Sequence, residues 1–268
     1  MHDFYATAAS APPQDQADGL RRMFSGRQRR VLPLVANPHV PFCGVVLDRL
    51  AAVLAEQGRQ VLVVDAALQS PPAHELALLD LSACVERLSP RVCYLAARGL
   101  PMAHVDTRGY AGAFIDALHA AAPQAEVMLL HAEAADLARM LMHRSARPVL
   151  IAADHPESVK HAYAACKLLA RRCGLMTYDL LLAAAPGSPR APGIASTLAH
   201  CADGFLGALL HDWALIDPAG ELGDPTDEAV ARLLAAQLGL EEVPNWRAAP
   251  AGAAAGSFGS TSTTHVFR

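Results

Sequence analysis

The chain has 268 residues, of which 53% are hydrophobic and 18% charged, and its formal net charge is −4 at neutral pH. This length provides one large domain or two small ones, and the composition provides a sizeable core. The acidic balance argues against nucleic-acid binding as the main task, and no apolar run reaches the roughly 18 residues that a membrane span needs.

The cysteines and the first residues indicate an intracellular protein. Six cysteines occur without any CxxC pair, which is typical of reduced, buried thiols rather than of a disulfide framework. The amino terminus lacks the basic and apolar segments of a signal peptide. We therefore expect a cytoplasmic protein.

The chain divides by composition into four parts. Residues 1–14 are small, polar and proline-containing, and we expect a flexible leader. Residues 15–26 predict a short amphipathic helix that Asp15 can cap. Residues 27–240 carry the regular hydrophobic patterns of a folded domain. Residues 241–268 are rich in Gly, Ala, Ser and Thr, and we expect them to be disordered.

Strand and helix patterns alternate through residues 27–240. Short apolar runs predict strands at 31–35, 61–64, 92–96, 126–130, 148–152 and 178–183. Periodic apolar positions predict helices at 45–57, 112–121, 133–143, 156–173, 193–209 and 227–238. The alternation predicts an α/β fold, with a mostly parallel sheet and helices on both faces in three layers.

The turn after the first predicted strand is where such a sheet binds its ligand. A loop that binds nucleotide phosphates needs glycines, a lysine, and a Ser or Thr hydroxyl for Mg²⁺. Residues 36–44 read ANPHVPFCG, with two prolines, a single glycine at the end and no lysine. The sequence therefore predicts that this turn does not hold ATP.

Residues 27–240 nevertheless resemble the P-loop ATPases of the MinD/ParA type. Residues 37–44 lie where that family has its GKGGxGKT loop, so that Pro38 and Cys43 replace the two lysines and Gly44 replaces the hydroxyl that binds Mg²⁺. The segment HPES at 155–158 and the helix that follows it are similar to the family's PEPTS helix. The resemblance implies a MinD-like P-loop fold.

Two further acidic positions of that family are altered. Asp65 matches the first acid of the DxD element, whose second acid is Ala67, and His131 replaces the aspartate of the Walker B strand. The loss of both lysines, the hydroxyl and two acids removes charge neutralisation and metal binding together. We therefore expect no ATP hydrolysis, no catalytic residue and no cofactor. The residues of this degenerate nucleotide site are Asn37, Pro38, His39, Cys43, Gly44, Asp65 and His131.

Two alternatives concern the same residues. Asp65 could simply cap a turn at the end of its strand. His39, Cys43 and His131 could together bind Zn²⁺, but the sequence contains no regular ligand spacing to support such a site. We therefore predict no metal.

A second motif precedes the domain. Residues 15–21 read DQADGLR and are similar to the DQAxxLR motif of the flagellar-number regulators FlhG/FleN, which are MinD-like proteins. In that family the motif activates FlhF, a GTPase of the signal-recognition type. The resemblance implies that Gln16 approaches the GTP site of the partner while neighbouring side chains hold the helix in place. The predicted partner-binding residues are Asp15, Gln16, Ala17, Leu20 and Arg21. The alternative is a helix that packs on its own domain.

These features favour a non-hydrolysing, FlhG-like regulator of flagellar biosynthesis whose partner is an FlhF-type GTPase. Flagellar basal-body components are further candidate partners. One alternative is a divergent MinD-like ATPase that acts as a spatial regulator. Another is a pseudo-ATPase scaffold in a different cell-envelope assembly. Glu241 and Glu242 follow the last predicted helix, and an anionic membrane surface would repel them.

Overall fold

The computed structural model describes residues 29–220 and 225–239. The predicted leader (1–14), activator helix (15–26) and tail (241–268) lie outside these described residues. Residues 27–240 are described except for 27–28, 221–224 and 240.

The described residues form one eight-stranded sheet. Its strands are β1 Arg30–Val35, β2 Val61–Asp65, β3 Glu86–Arg87, β4 Val92–Ala96, β5 Val127–Ala132, β6 Val149–Ala153, β7 Thr177–Ala183 and β8 Leu209–Ile216. They lie in the order β3-β4-β2-β5-β1-β6-β7-β8. All neighbours are parallel except β3 and β4, which are antiparallel. The predicted α/β class with a mostly parallel sheet is confirmed.

Helices cover both faces of the sheet. They are α1 Cys43–Glu56, α2 Leu100–Ala103, α3 Gly112–Ala121, α4 Ala134–Met140, α5 Pro156–Cys173, α6 Ala191–Leu206 and α7 Pro225–Leu238. In β2, Val61 and Val63 belong to the apolar core shared with α1 and α7, whereas Leu62 and Val64 belong to the core shared with α3 to α6. Successive strand residues point to opposite faces, so the apolar run of β2 fills two cores in a three-layer domain.

Helix α5 illustrates how local sequence sets its own limits. The His155 side chain accepts a hydrogen bond from the Glu157 backbone N–H at 3.3 Å, and Pro156 occupies the first turn, where its missing N–H costs nothing. Gly174 ends the helix with a left-handed φ of 67°. Below α5, the Tyr178 hydroxyl in β7 donates to backbone carbonyl oxygens of α5 and of the following turn at 3.2 and 2.5 Å. The predicted helix 156–173 is confirmed.

Two helix predictions were wrong at their carboxyl ends. The helix predicted to reach residue 143 ends at Met140. His143 has a φ of 64°, and this left-handed conformation is incompatible with a right-handed helix. The helix predicted to reach residue 209 ends at Leu206, because Gly207 terminates it with a φ of 65°. Residues 209–216 then form β8. Neither β8 nor the two-residue strand β3 was predicted from the sequence.

A buried charged cluster lies near the amino ends of β6 and β7, at the far end of the strands from the β1–α1 turn. Asp179 in β7 is fully buried, and its Oδ2 is 2.9 Å from Nε of Arg147. Gln237 in α7 donates to Asp179 Oδ2 at 2.7 Å and to the Arg147 carbonyl oxygen at 2.9 Å. Burial raises the pKa of Asp179, although Arg147, Gln237 and His211 oppose that shift. The cluster connects α7 to the body of the sheet.

The described cysteines correct one further expectation. All six thiols are free, but only Cys166 is buried, and the other five are partly exposed. The prediction of buried thiols is therefore right for Cys166 and wrong for the rest. In residues 29–220 and 225–239, no helix has the length and apolar character to cross a bilayer.

Candidate functional site

A pocket of about 320 Å³ lies at the carboxyl edge of the sheet. Strand β5 lies between β1 and β2, so the three segments that follow these strands meet there. The pocket is lined by residues 36–38 and 40–44 from the β1–α1 turn, by Asp65 and residues 67 and 69–71 after β2, and by His131 and Glu133 of β5 and the turn after it. The fold thus brings most of the predicted site residues together.

The turn keeps an unusual backbone conformation immediately before α1. Phe42 has a φ of 56° and a ψ of 36°, which is left-handed, while its side chain is 74% exposed. The family resemblance places a glycine at this position, and glycine adopts such angles without steric cost. For a residue with a Cβ atom, this left-handed conformation costs about 1–2 kcal/mol of conformational free energy. Phe42 therefore holds a backbone conformation that favours glycine, although it is a phenylalanine.

Asn37 fastens the turn to the neighbouring strand and helix. Its Nδ2 donates to the carbonyl oxygen of Ile151 at 2.8 Å and to the carbonyl oxygen and Oγ of Ser158 at 3.0 Å. Its Oδ1 accepts from the His39 N–H at 3.1 Å, and its carbonyl oxygen accepts from the Val40 N–H at 3.0 Å. These two N–H groups therefore point at Asn37, and they do not point at the pocket.

Three side chains form a hydrogen-bonded chain across the pocket floor. His131 Nδ1 is 2.7 Å from Asp65 Oδ1, and His131 Nε2 is 3.5 Å from Cys43 Sγ. The Ser70 hydroxyl donates to the same Asp65 oxygen. Asp65 and His131 lie side by side in the parallel pairing of β2 and β5, which is why they meet.

Contacts between the side chains of the pocket floor set the charges of His131 and Asp65. Burial would lower the pKa of His131, but its hydrogen bonds to Asp65 and Cys43 outweigh burial and raise it to about 9. Burial would raise the pKa of Asp65, but hydrogen bonds from His131 and Ser70 lower it. Burial and the negative charge of Asp65 raise the pKa of Tyr94, in β4, to about 12. At neutral pH the floor therefore holds an imidazolium beside a carboxylate.

The residues of this pocket do not fit Mg-ATP. None of the residues that line it, all of them in the described part of the chain, is a lysine or arginine, and Pro38 and Pro41 have no N–H to offer. The imidazolium of His131 is neutralised by Asp65, and the side chain of Glu133 adds a carboxylate. Polyphosphate binding needs cationic side chains and free backbone N–H groups, and this donor set provides too few of them.

The other predicted roles can now be located. Asp65 accepts hydrogen bonds from the Ala67 backbone and from the Ser70 hydroxyl in the turn after β2, as the turn-capping alternative expects, and it also bonds His131. The ring centroid of His39 lies 5.9 Å from that of His161. Among the described residues, no group of three metal-ligating side chains is close enough to hold an ion. Sequence reasoning missed Ser70 and Tyr94. Ser70 lies only five residues after Asp65, so the sequence contained a weak signal that its hydroxyl could bond that carboxylate. Tyr94 is near Asp65 only because β4 pairs with β2, and the local sequence contains no signal for that pairing.

Comparisons with known proteins identify the fold. No protein-family model matches the sequence, and no curated protein is significantly similar to it. Among solved structures, the chain is similar to a plasmid partition protein from Borrelia burgdorferi bound to AMPPNP, with a TM-score of 0.57, 9% identity, and 79% of this chain and 98% of that chain covered. It is also similar to a chain of the MinC–MinD cell division protein complex of Aquifex aeolicus, with a TM-score of 0.53, 12% identity, and 81% of this chain and 98% of that chain covered.

A third similar structure is a ParA family ATPase from Chlorobium tepidum, with a TM-score of 0.51, 15% identity, and 78% of this chain and all of that chain covered. At these identities the likeness concerns the fold. The described domain therefore has the P-loop fold of MinD- and ParA-type ATPases, which confirms the fold implied by the sequence resemblance.

Proposed function

We propose that this protein is a non-hydrolysing regulator of the FlhG type, which stimulates an FlhF-type GTPase through the helix predicted at residues 15–26. The observation that carries the proposal is the sequence DQADGLR at residues 15–21, directly ahead of a domain with the MinD/ParA fold. A short amphipathic segment that folds onto a partner's groove suits this task. In this proposal Gln16 orients the water that attacks GTP, which is a role that a glutamine side chain can fill in GTPases.

The chemistry of the pocket supports the non-hydrolysing part of the proposal. Cys43 and Gly44 replace the lysine and the hydroxyl, and His131 neutralises Asp65 in place of a metal ion. A domain that does not bind ATP cannot use ATP to control dimerisation. We infer that the domain is a docking scaffold, on which flagellar basal-body components are further candidate partners.

The length of the connecting segment limits how far the motif can lie from β1. Residues 22–29 separate the motif from β1, and eight residues span at most ~28 Å even when fully extended. Strand β1 begins at Arg30, at the edge of the sheet opposite to the pocket. Since the six-residue strand β1 is itself only ~20 Å long, this reach includes the pocket edge of the sheet as well as the amino ends of the strands.

The direct test is GTP turnover by a purified FlhF-type GTPase with and without this protein. We expect the full chain to raise turnover and the variant Q16A to lose most of that effect. Gln14→Ala is the matched control, because Gln14 lies next to the motif but outside it, and this variant should stimulate like wild type. Failure of the wild-type chain to stimulate the GTPase would sink the proposal.

Two alternatives make different predictions. A divergent ATPase would bind Mg-ATP, and a ligand present at 100 times its Kd stabilises a protein by ~2.7 kcal/mol. We expect Mg-ATP at millimolar concentration to leave the thermal unfolding of the full chain unchanged. A scaffold in another cell-envelope assembly would also ignore Mg-ATP, but neither the wild type nor Q16A would alter GTP turnover.

A further inference from the structure

The side chains that replace the nucleotide-binding groups form a recognisable chemical arrangement of their own. A thiol, an imidazole and a carboxylate are connected in that order through the two nitrogens of one ring, and the thiol lines an open pocket. We propose that Cys43, His131 and Asp65 form a nucleophilic cysteine site that accepts an acyl group from a small, uncharged ester or thioester. This activity would be separate from the proposed stimulation of a GTPase.

Cys43 occupies the position in which a helix best supports a nucleophile. It is the first residue of α1, a helix of 14 residues. The N–H groups of the first turn have no acceptor within the helix, so those of Cys43 and Gly44 can donate to an oxygen bound beside the sulfur. The partial positive charge at this end also favours the negative charge that develops on that oxygen when the sulfur attacks.

His131 is held in the orientation that a general acid or base requires. Its side chain is only 4% exposed, and its Nδ1 bonds Asp65 at 2.7 Å, which leaves Nε2 facing the sulfur of Cys43 at 3.5 Å. Asp65 is fixed in turn by the Ser70 hydroxyl. A nucleophile, a base and a third group that orients the base is the general signature of nucleophilic catalysis. His131 would be a catalytic residue, and Asp65 a positioning residue.

The pocket limits the class of substrate. A volume of about 320 Å³ admits a small group, and Pro41 and Phe42 form part of its apolar wall. His131 balances the charge of Asp65, so the carboxylate of Glu133 leaves the pocket negative and disfavours anionic substrates. A short, uncharged acyl chain fits these properties.

The reaction balances without a metal or a redox partner. The Cys43 thiolate attacks the carbonyl carbon, so that a C–S bond forms. The C–O or C–S bond to the leaving group breaks with its electron pair, and the leaving group takes the proton from Nε2 of His131. Neutral His131 then removes a proton from water as this water attacks the acyl-cysteine. The C–S bond breaks, a carboxylic acid leaves, and the Cys43 sulfur departs as a thiolate beside the reprotonated His131.

The first test is acetylation of the full-length wild-type protein by 4-nitrophenyl acetate, with peptide mass spectrometry to locate the product. We expect an acetyl group on Cys43 well before any appears on Cys84 or Cys201, which are also partly exposed and serve as internal controls. The proposal would be overturned if Cys43 were acetylated no faster than these two cysteines and 4-nitrophenol were released no faster than from Cys43→Ser. Fast alkylation of Cys43 by iodoacetamide, with neither an acetyl product nor this extra release of 4-nitrophenol, would also overturn it.

Two variants test the roles of the other side chains. His131→Gln should slow acetylation by about 10²-fold or more, the usual contribution of a general base, with circular dichroism to confirm that the variant is folded. Asp65→Asn should slow acetylation and narrow the pH range over which Cys43 reacts rapidly, because the imidazolium loses its carboxylate. The titratable groups around this ring are Cys43 from α1 and Asp65 from β2, with Tyr94 of β4 beside Asp65 and Glu133 on the same pocket wall.

An unchanged pH profile in Asp65→Asn would show that Asp65 does not position His131 for reaction. The outcome is also distinguishable from that of the GTPase test. Gln16→Ala should leave acetylation of Cys43 unchanged, and Cys43→Ser should leave stimulation of the GTPase unchanged.

Discussion

Raising the pH should weaken the fold through the Asp65–His131 pair. Despite the opposing effect of burial, the pKa of His131 is raised from 6.5 to about 9 in the folded protein, and unfolding returns it to about 6.5. A group with a higher pKa in the folded state stabilises the fold fully below the unfolded pKa. That stabilisation is lost as the pH rises through the folded pKa. The loss should therefore occur between about pH 6.5 and pH 9 and be complete somewhat above it.

The magnitude follows from the shift. A rise of about 2.5 pKa units corresponds to roughly 3 kcal/mol, at 1.36 kcal/mol for each unit. Solvent screening does not reduce this value much, because the His131 side chain is 4% exposed. Asp65 does not add to the change in this range, since its pKa is lowered and its stabilising effect is lost only as the pH falls through the acid range.

The assay is urea unfolding followed by circular dichroism at several pH values between 6 and 10. The free energy of unfolding of His131→Gln is subtracted from that of wild type at each pH, because other titrating groups contribute equally to both. We expect the difference to fall by about 3 kcal/mol across the range. A difference that stays constant with pH would refute the inference that His131 is an imidazolium in the folded protein.

Three further substitutions test the packing described above, with the free energy of unfolding as the measurement in each case. Phe42→Gly should stabilise the fold by about 1 kcal/mol because glycine relieves the left-handed strain. The control Val45→Gly, within α1, should destabilise it. If both variants changed the free energy of unfolding in the same direction, Phe42 would not be strained as described. Asn37→Ala should cost about 1–3 kcal/mol because it leaves buried backbone groups without partners, and a neutral effect would mean that the turn is not anchored there. Tyr178→Phe should cost about 1–2 kcal/mol for the lost hydroxyl bonds, while Tyr163→Phe, at a partly buried position of α5, should cost less.

The strands and helices near the site could be predicted because their signals are local. The apolar run of β2, the Pro156 start of α5 and its Gly174 end each lie in a few consecutive residues. Strand β8 was missed for the same reason. It is an edge strand whose first residues alternate between exposed and partly exposed, and only Ala214 and Ile216 near its end are buried. The alanine- and leucine-rich segment before it continues the pattern of α6 until Gly207 ends that helix.

The candidate site was only half predictable. The sequence placed Asp65 and His131 at strand ends, since each directly follows or ends an apolar run. The contact between them depends on strand order, because β2 must lie beside β5 for the two side chains to meet. Alternation of strands and helices does not determine that order. The bond from His131 to Cys43 also requires the turn before α1 to keep its left-handed residue, which the prolines in that turn gave no reason to expect.

The position of Gln237 has a consequence for where the smallest autonomous folding unit ends. The sheet is complete at Ile216, so truncation after β8 would leave every strand in place. It would nevertheless remove the only side chain of α7 that donates to the buried Asp179 carboxylate in the described residues, together with the donor to the Arg147 carbonyl oxygen. Asp179 would keep Arg147 and His211 as partners, but losing a hydrogen bond to a buried charged group costs more than losing one between neutral groups. Helix α7 is therefore an integral part of the domain rather than an appendage to it.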